Sequence, residues 1–324
     1  MLPSRRRRRP PSLHLELHQP VATVATVSTK LIEAVRSVAV DSNEWSSVQQ
    51  IGHGAFGSVM LARRRIGDEE VAIKKVPRHR AFKGAMDQLV MEVEALRDVA
   101  SPYVVELFGA YLDDWHVCLV MEHMAGGSVR QIMAQRCGKL SQVVIEHVAM
   151  SVALGMRDLW LAGGVMHRDI KPDNVLVGAN GQVKLCDLGI ATVIEGEAQL
   201  SPTGSGHYLA PERIEGASYS ANADVWSLGV MVVEMANGCH PYADGAPMAL
   251  VLHAIVSEPP PMLHSAGAWS SEIEHFTALC LVKDPVVRSS VNELAHDEAV
   301  LAWEARALSD DVARWLRQEE YTNV

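Results

Sequence analysis

Asp169, Lys171 and Asn174 stand in one short run, His167-Arg168-Asp169-Ile170-Lys171-Pro172-Asp173-Asn174, and Asp187 follows in Cys186-Asp187-Leu188-Gly189. These residue types suit transfer of a phosphoryl group from ATP to a hydroxyl. Such a transfer asks for little covalent chemistry; the hydroxyl must be positioned and the phosphate oxygens neutralised with metal. Asp169 can accept the hydroxyl proton and Lys171 can meet the γ-phosphate. Asn174 and Asp187 are oxygen ligands suited to Mg²⁺, a hard cation. A polar surface loop could hold the same residues by chance, so the partners supplied by the rest of the chain decide.

An ATP-holding element must come first. Gln50-Ile51-Gly52-His53-Gly54-Ala55-Phe56-Gly57-Ser58-Val59 has the form G-x-G-x-x-G-x-V, in which glycines let the backbone approach phosphate oxygens with no Cβ in the way. A dinucleotide fold shares G-x-G-x-x-G, but there a helix begins at the glycines. Here β-rich sequence continues through residues 60–62 and Val71-Ala72-Ile73-Lys74. Residues 84–99 then carry Met86, Leu89, Val90, Val93, Leu96 and Val99 largely on one helical face. Residues 104–112 and 117–121 predict strands, and 143–162 a long buried helix. After the polar run, 175–177 and 183–185 predict short strands around a turn at 178–181. Asp224-Val225-Trp226-Ser227-Leu228-Gly229 opens an apolar helix to about residue 236.

Taken in this order, with Ala210-Pro211-Glu212 and Lys283-Asp284-Pro285-Val286-Val287-Arg288 beyond, the motifs resemble those of the eukaryotic protein kinases. The resemblance implies an α+β, bilobal protein kinase fold over 45–308. Its N-lobe (45–121) would be β-rich, its hinge would be 122–127, and its C-lobe (128–308) mainly helical. It implies ATP and Mg²⁺ as cofactors, with Asp169, Lys171, Lys74 and Glu92 catalytic. Lys74 would pair with the α and β phosphates and be set by Glu92, for which Glu94 is the competing assignment. The nucleotide site would draw on Ile51, Gly52, Gly54, Gly57, Val59, Ala72, Lys74, Met121, Glu122, Met124, Ser128, Asn174, Leu176 and Asp187. In it Met121 guards the back of the adenine pocket, the backbone of 122–124 bonds the adenine edge, and Leu176 supports the ring from below. Arg288 would pair with Glu212. Leu188 replaces the commoner phenylalanine and still fills an apolar spine.

Narrower likenesses point to the MAP kinase kinases, which phosphorylate a threonine and a tyrosine in a MAP kinase. They include Gly52-His53-Gly54-Ala55-Phe56-Gly57, Met121-Glu122-His123-Met124-Ala125-Gly126-Gly127-Ser128-Val129, Lys184-Leu185-Cys186-Asp187 and Leu209-Ala210-Pro211-Glu212-Arg213. Lys171 itself is the serine/threonine-type signature. The resemblance implies a MAP kinase substrate and an upstream MAP kinase kinase kinase. It puts the second of two activating phosphorylation sites on Ser201, and the first on Glu197, already negative. Thr203 is a rival switch, Pro202 leaves feedback by a proline-directed kinase open, and Ser205 stands where the family has threonine. A serine/threonine kinase of another tier and a pseudokinase scaffold are the alternatives; complete catalytic residues weigh against the scaffold.

Residues 1–44 read as a mostly disordered basic arm, with a short helix over 28–38. Arg5, Arg6, Arg7, Arg8 and Arg9 repel one another, while Leu13, Leu15 and Leu17 alternate and so share one face of an extended segment. Residues 5–17 resemble the docking motif by which MAP kinase kinases hold MAP kinases; a nuclear-import signal and an organellar presequence compete. The formal charge of −10 includes five arginines and one glutamate in residues 1–20, so the remainder is strongly acidic and offers no footprint for nucleic acid. No apolar run approaches the roughly 18 residues that cross a bilayer. Five scattered cysteines, Cys118, Cys137, Cys186, Cys239 and Cys280, suit a reducing, cytoplasmic setting, with nuclear entry by way of the arginines as an addition. Cys186 could be a reactive thiol or a packed one. The tail, 309–324, carries an amphipathic stretch that would either dock the upstream kinase or pack.

Overall fold

The computed structural model describes residues 29–54, 57–78, 83–136, 138, 140–188, 205–242, 245–264 and 269–318. Arg5 to Arg9, Leu13, Leu15, Leu17, Glu197, Ser201 and Thr203 lie outside them.

Strands β1 (Trp45–Gly54), β2 (Gly57–Arg64), β3 (Glu70–Pro77), β4 (Leu107–Leu112) and β5 (His116–Glu122) form one antiparallel sheet in the order β1-β2-β3-β5-β4. Central β3 is buried on both faces from Val71 to Lys74, which accounts for the apolar run Val71-Ala72-Ile73 ahead of Lys74. Helix α2 (Lys83–Asp98) lies against the sheet, with Leu89, Val90, Val93 and Leu96 buried at helical spacing.

The chain is folded well before residue 45. Helix α1 (Thr29–Ser37) buries Leu31, Ala34 and Val35 against Leu89, Val90 and Val93 of α2. Residues 38–40 then run alongside β4, where Val40 N donates to Ala110 O at 3.1 Å and Ala110 N to Val38 O at 3.0 Å. Within the stretch 1–44, residues 29–40 thus pack on the body, with α1 where a short helix is expected over 28–38. The spacing of Leu31, Ala34 and Val35 makes an apolar stripe, and α2 offers an outer face that needs covering. Gly109 permits the approach, since a Cβ there would meet Val40 Cγ1 at 2.2 Å.

Below the sheet the molecule is helical. Short strands β6 (Gly127–Ser128), β7 (Val175–Val177) and β8 (Val183–Leu185) form a small sheet beside α3 (Val129–Gln135). Helices α4 (Gln142–Gly163) and α6 (Asn222–Asn237) are the core, buried around most of their circumference because other helices pack on every side. Around them stand α5 (Pro211–Ile214), α7 (Met248–Ser257), α8 (Ser271–Cys280), α9 (Val291–Ala295), α10 (Glu298–Ala305) and α11 (Ser309–Gln318). In α11 Val312 and Ala313 are buried, and Arg136 stacks on Trp315 while donating to Leu316 O at 3.2 Å. The tail helix packs on the body; only one face of it stays polar.

Candidate active site

The site lies where the two sheets meet. Lys74 is paired across the ladder with Val59 on β2 and Leu119 on β5, a position that fixes its stem and aims it inward. Its Nζ lies 2.7 Å from Glu92 Oε1 and 2.8 Å from Asp187 Oδ1. Glu94, two residues further along α2, is exposed. Burial opposes the Lys74 charge, but the Asp187 and Glu92 carboxylates outweigh it and hold the ammonium pKa above its ordinary value. Asp187 is lowered, chiefly by the Lys74 charge, whereas at Glu92 burial dominates and the carboxyl is pushed upward.

The polar run forms a tight loop held from below. Lys171 Nζ donates to Asp169 Oδ2 at 2.7 Å, and Asn174 Nδ2 donates at 2.8 Å both to that oxygen and to the Asp169 carbonyl. Because the Asn174 nitrogen is committed inward, its carbonyl oxygen is the end left to meet a cation. Asp224, buried in the first turn of α6, accepts from His167 N at 2.7 Å and Arg168 N at 2.8 Å. Burial raises its carboxyl above the usual range against the pull of those donors. The His167 ring reaches Cys186 O at 3.0 Å, and Cys186 N donates to Asn174 O at 3.0 Å, so the loop and the residues around Asp187 are one hydrogen-bonded unit. Arg168 and Asp187, both non-glycine, sit at φ 67° and 52°. Left-handed backbone costs about 1–3 kcal/mol per residue, and persists where the surroundings enforce it.

The nucleotide residues expected from sequence lie on β1, β2, β3, β5, the small sheet and the segments that adjoin them. Gly52 pairs with Val59 and Gly54 with Gly57 in the β1–β2 ladder, and a Cβ on Gly57 would lie 1.9 Å from Lys75 O. Ala72 stands opposite Met121 between β3 and β5, both buried, and Ile51 is half-buried nearby on β1. Met124 is buried, and Leu176 is half-buried opposite Ser128 in the small sheet. The Ser128 hydroxyl caps α3, accepting from Gln131 N at 3.2 Å while Gln131 Oε1 accepts from Ser128 N at 2.9 Å. Burial pushes the Cys186 thiol well above its ordinary pKa, so it is a protonated, packed group at neutral pH. The sequence reading passed over Asp224 as an anchor, because its partners are 57 and 56 residues away and no local spacing shows them.

This arrangement, a lysine and glutamate paired under a five-stranded sheet and an aspartate-bearing loop braced from a helical lobe, defines a protein kinase. Residues 45–300 match the family model described as protein kinase domain, and the chain belongs to that family. It is also similar to Protein kinase wis1 of Schizosaccharomyces pombe, 32% identical over 290 residues that take in 87% of this chain and 47% of the relative. The chain thus spans about half the length of that relative. Among the described residues no helix is long and apolar enough to cross a membrane.

Proposed function

We propose that the chain is a MAP kinase kinase, passing the γ-phosphoryl group of ATP to a threonine and a tyrosine in the activation loop of a MAP kinase. The observation that carries the phosphotransfer is the pair of contacts on one ammonium, Lys74 to Glu92 and to Asp187, beside an Asp169 held by Lys171 and Asn174. Asp169 orients the acceptor hydroxyl and takes its proton as the oxygen bonds to the γ-phosphorus; the bond to the β–γ bridging oxygen breaks and ADP leaves. Lys171 faces the charge that develops on the transferred group, and Lys74, set by Glu92, holds the α and β phosphates. Asn174 and Asp187 present oxygen donors that would hold Mg²⁺, and the cation would offset the charge of the phosphates. Ile51, Val59, Ala72, Met121 and Leu176 enclose the adenine, whose edge meets the backbone of 122–124.

The narrower assignment rests on the motifs shared with MAP kinase kinases and on the similarity to a yeast protein kinase. Arg5 to Arg9 with Leu13, Leu15 and Leu17 dock the MAP kinase, basic residues on an acidic patch and leucines in successive pockets. An upstream MAP kinase kinase kinase phosphorylates Ser201, with Thr203 as the rival site; phosphoserine brings about −1.5 to −2 charges where Glu197 already brings one. Free thiols at Cys118, Cys186, Cys239 and Cys280 support a reducing, cytoplasmic setting.

Phosphoamino-acid analysis of an inactive MAP kinase, incubated with Mg-ATP and the Ser201→Glu form, tests this, with Asp169→Ala as the blank. Labelling of threonine and tyrosine, weakened by deleting residues 1–17, is the expected result. Serine or threonine labelled elsewhere, indifferent to that deletion, would place the chain in another kinase tier. Nucleotide binding with no transfer would make it a scaffold.

A further inference from the structure

Lys184 is a buried cation that the catalytic set does not use. It is the middle residue of β8, it is 8% exposed, and its Nζ donates to Glu122 Oε2 at 2.6 Å. Glu122 is the last residue of β5 and the first of the segment that leads to the helical lobe. Its backbone is fixed from the other side, with Glu122 N donating to Glu106 O at 3.0 Å. Two residues of β8 are thus attached to the upper half of the molecule. Beside Lys184, Leu185 N donates to Tyr103 O at 2.8 Å and Leu185 O accepts from Val105 N at 2.9 Å. The same strand runs directly into Cys186 and Asp187.

The position of Lys184 within the small sheet matters as much as its partner. Its cross-strand neighbour on β7 is Leu176, the residue assigned to the floor of the adenine slot. Directly opposed residues share a face of the sheet. One ion pair therefore joins the wall of the slot, at Glu122, to β8, the strand paired with the one that carries its floor. The loop bearing Asp169 has its own bonds, from Asp224, Lys171 and Asn174, and meets the chain after β8 at Cys186.

We propose that Glu122 and Lys184 form a positioning latch that fixes the width of the adenine slot and so sets nucleotide affinity, an inference that rests on the ATP-binding function proposed above. With the latch broken, the slot samples wider openings, and a nucleotide must pay to order it on binding. The acceptor hydroxyl and Asp169 are not involved, so the loss falls on binding more than on turnover.

The test compares wild type with Lys184→Met, Glu122→Gln, the double variant and Lys184→Arg in the full chain. It measures the Kd for Mg-ADP by calorimetry, KM for ATP and kcat by steady-state kinetics, and Tm without ligand. For Lys184→Met, Kd and KM are expected to rise about tenfold while kcat stays within about threefold. Lys184→Arg, which keeps the charge, should recover most of the affinity. In the double variant the loss should be smaller than the product of the single losses, as for two residues acting as one unit. Unchanged Kd in Lys184→Met, with or without a lowered Tm, would reduce the pair to a structural contact and overturn the proposal; so would equal losses in the Met and Arg variants. If Lys184→Met does not fold, the double variant, which buries no lone charge, carries the same comparison of Kd with wild type. A wild-type chain that binds no nucleotide would instead overturn the kinase function itself, before any variant is compared.

Discussion

Arg288 meets Glu212 through two parallel hydrogen bonds, Nη1 to Oε1 at 2.7 Å and Nη2 to Oε2 at 2.9 Å, with both residues almost wholly buried. Arg288 further donates to the carbonyls of Val282, Lys283 and Asn222, so its guanidinium is saturated. It ties the first turn of α5 to the start of α6 and to the loop before α9. Removing either partner leaves the other charge buried and unpaired. Glu212→Ala should therefore cost about 3–5 kcal/mol in chemical denaturation. A double replacement by apolar residues of similar volume should cost less than that single change.

Lys74 serves two carboxylates at once, and its variants should separate binding from chemistry. Lys74→Met is expected to lower kcat/KM at least about 100-fold, because it strips a preorganised charge from the phosphates. Glu92→Gln keeps a hydrogen-bond acceptor for Lys74 and should lose less, about 10-fold. Equal rates in all three proteins, measured on the same MAP kinase, would show that this ammonium contributes nothing to transfer.

The N-terminal boundary makes a prediction about stability. Leu31 is fully buried, and Leu31→Ala should cost about 2–5 kcal/mol. Deleting residues 1–28 should leave Tm nearly unchanged, whereas deleting 1–44 should lower it markedly by thermal scanning. Equal Tm after both deletions would mean that α1 adds nothing to the fold.

Two histidines give stability a pH dependence. His147 Nε2 donates to Gly181 O at 3.1 Å, while its Nδ1 is buried with no hydrogen-bond partner among the described residues. Burial lowers its pKa, and burial lowers that of His240 as well. The unfolded chain takes up these protons first, near pH 6.5. Folded and unfolded states bind equally above that value, and stability falls as pH drops below it toward the depressed folded values. Tm should thus decline between about pH 7 and pH 5, and His147→Gln should remove part of the slope. A slope unaltered in that variant would assign it elsewhere.

Much of this was legible in the chain because the information is local. Strand periods around the glycines, the one-sided apolar stripe of α2 and the long apolar runs of α4 and α6 announce themselves within a single element. Glu92 could be preferred over Glu94 from where Leu96 falls one turn on. What escaped depends on contacts distant in sequence. Asp224 reaches back to His167 and Arg168, and Lys184 finds Glu122, 62 residues away, with no spacing rule to link them. Ser128 shows the converse, a residue expected at the nucleotide whose hydroxyl caps a helix. The short helix within 29–40 is expected from sequence, but its packing is not, because each contact is weak alone and only the outer face of α2 and the bare side of β4 make the segment fold.

The run from Val38 to Val40 also has a bearing on solubility. In the five-stranded sheet β4 is terminal, and a terminal strand offers unpaired backbone donors and acceptors to any similar strand nearby. Residues 38–40 occupy that position beside Ala110, so the molecule supplies its own last partner. Protein made without them would carry an adhesive border, and its failure in the test tube would take the form of self-association.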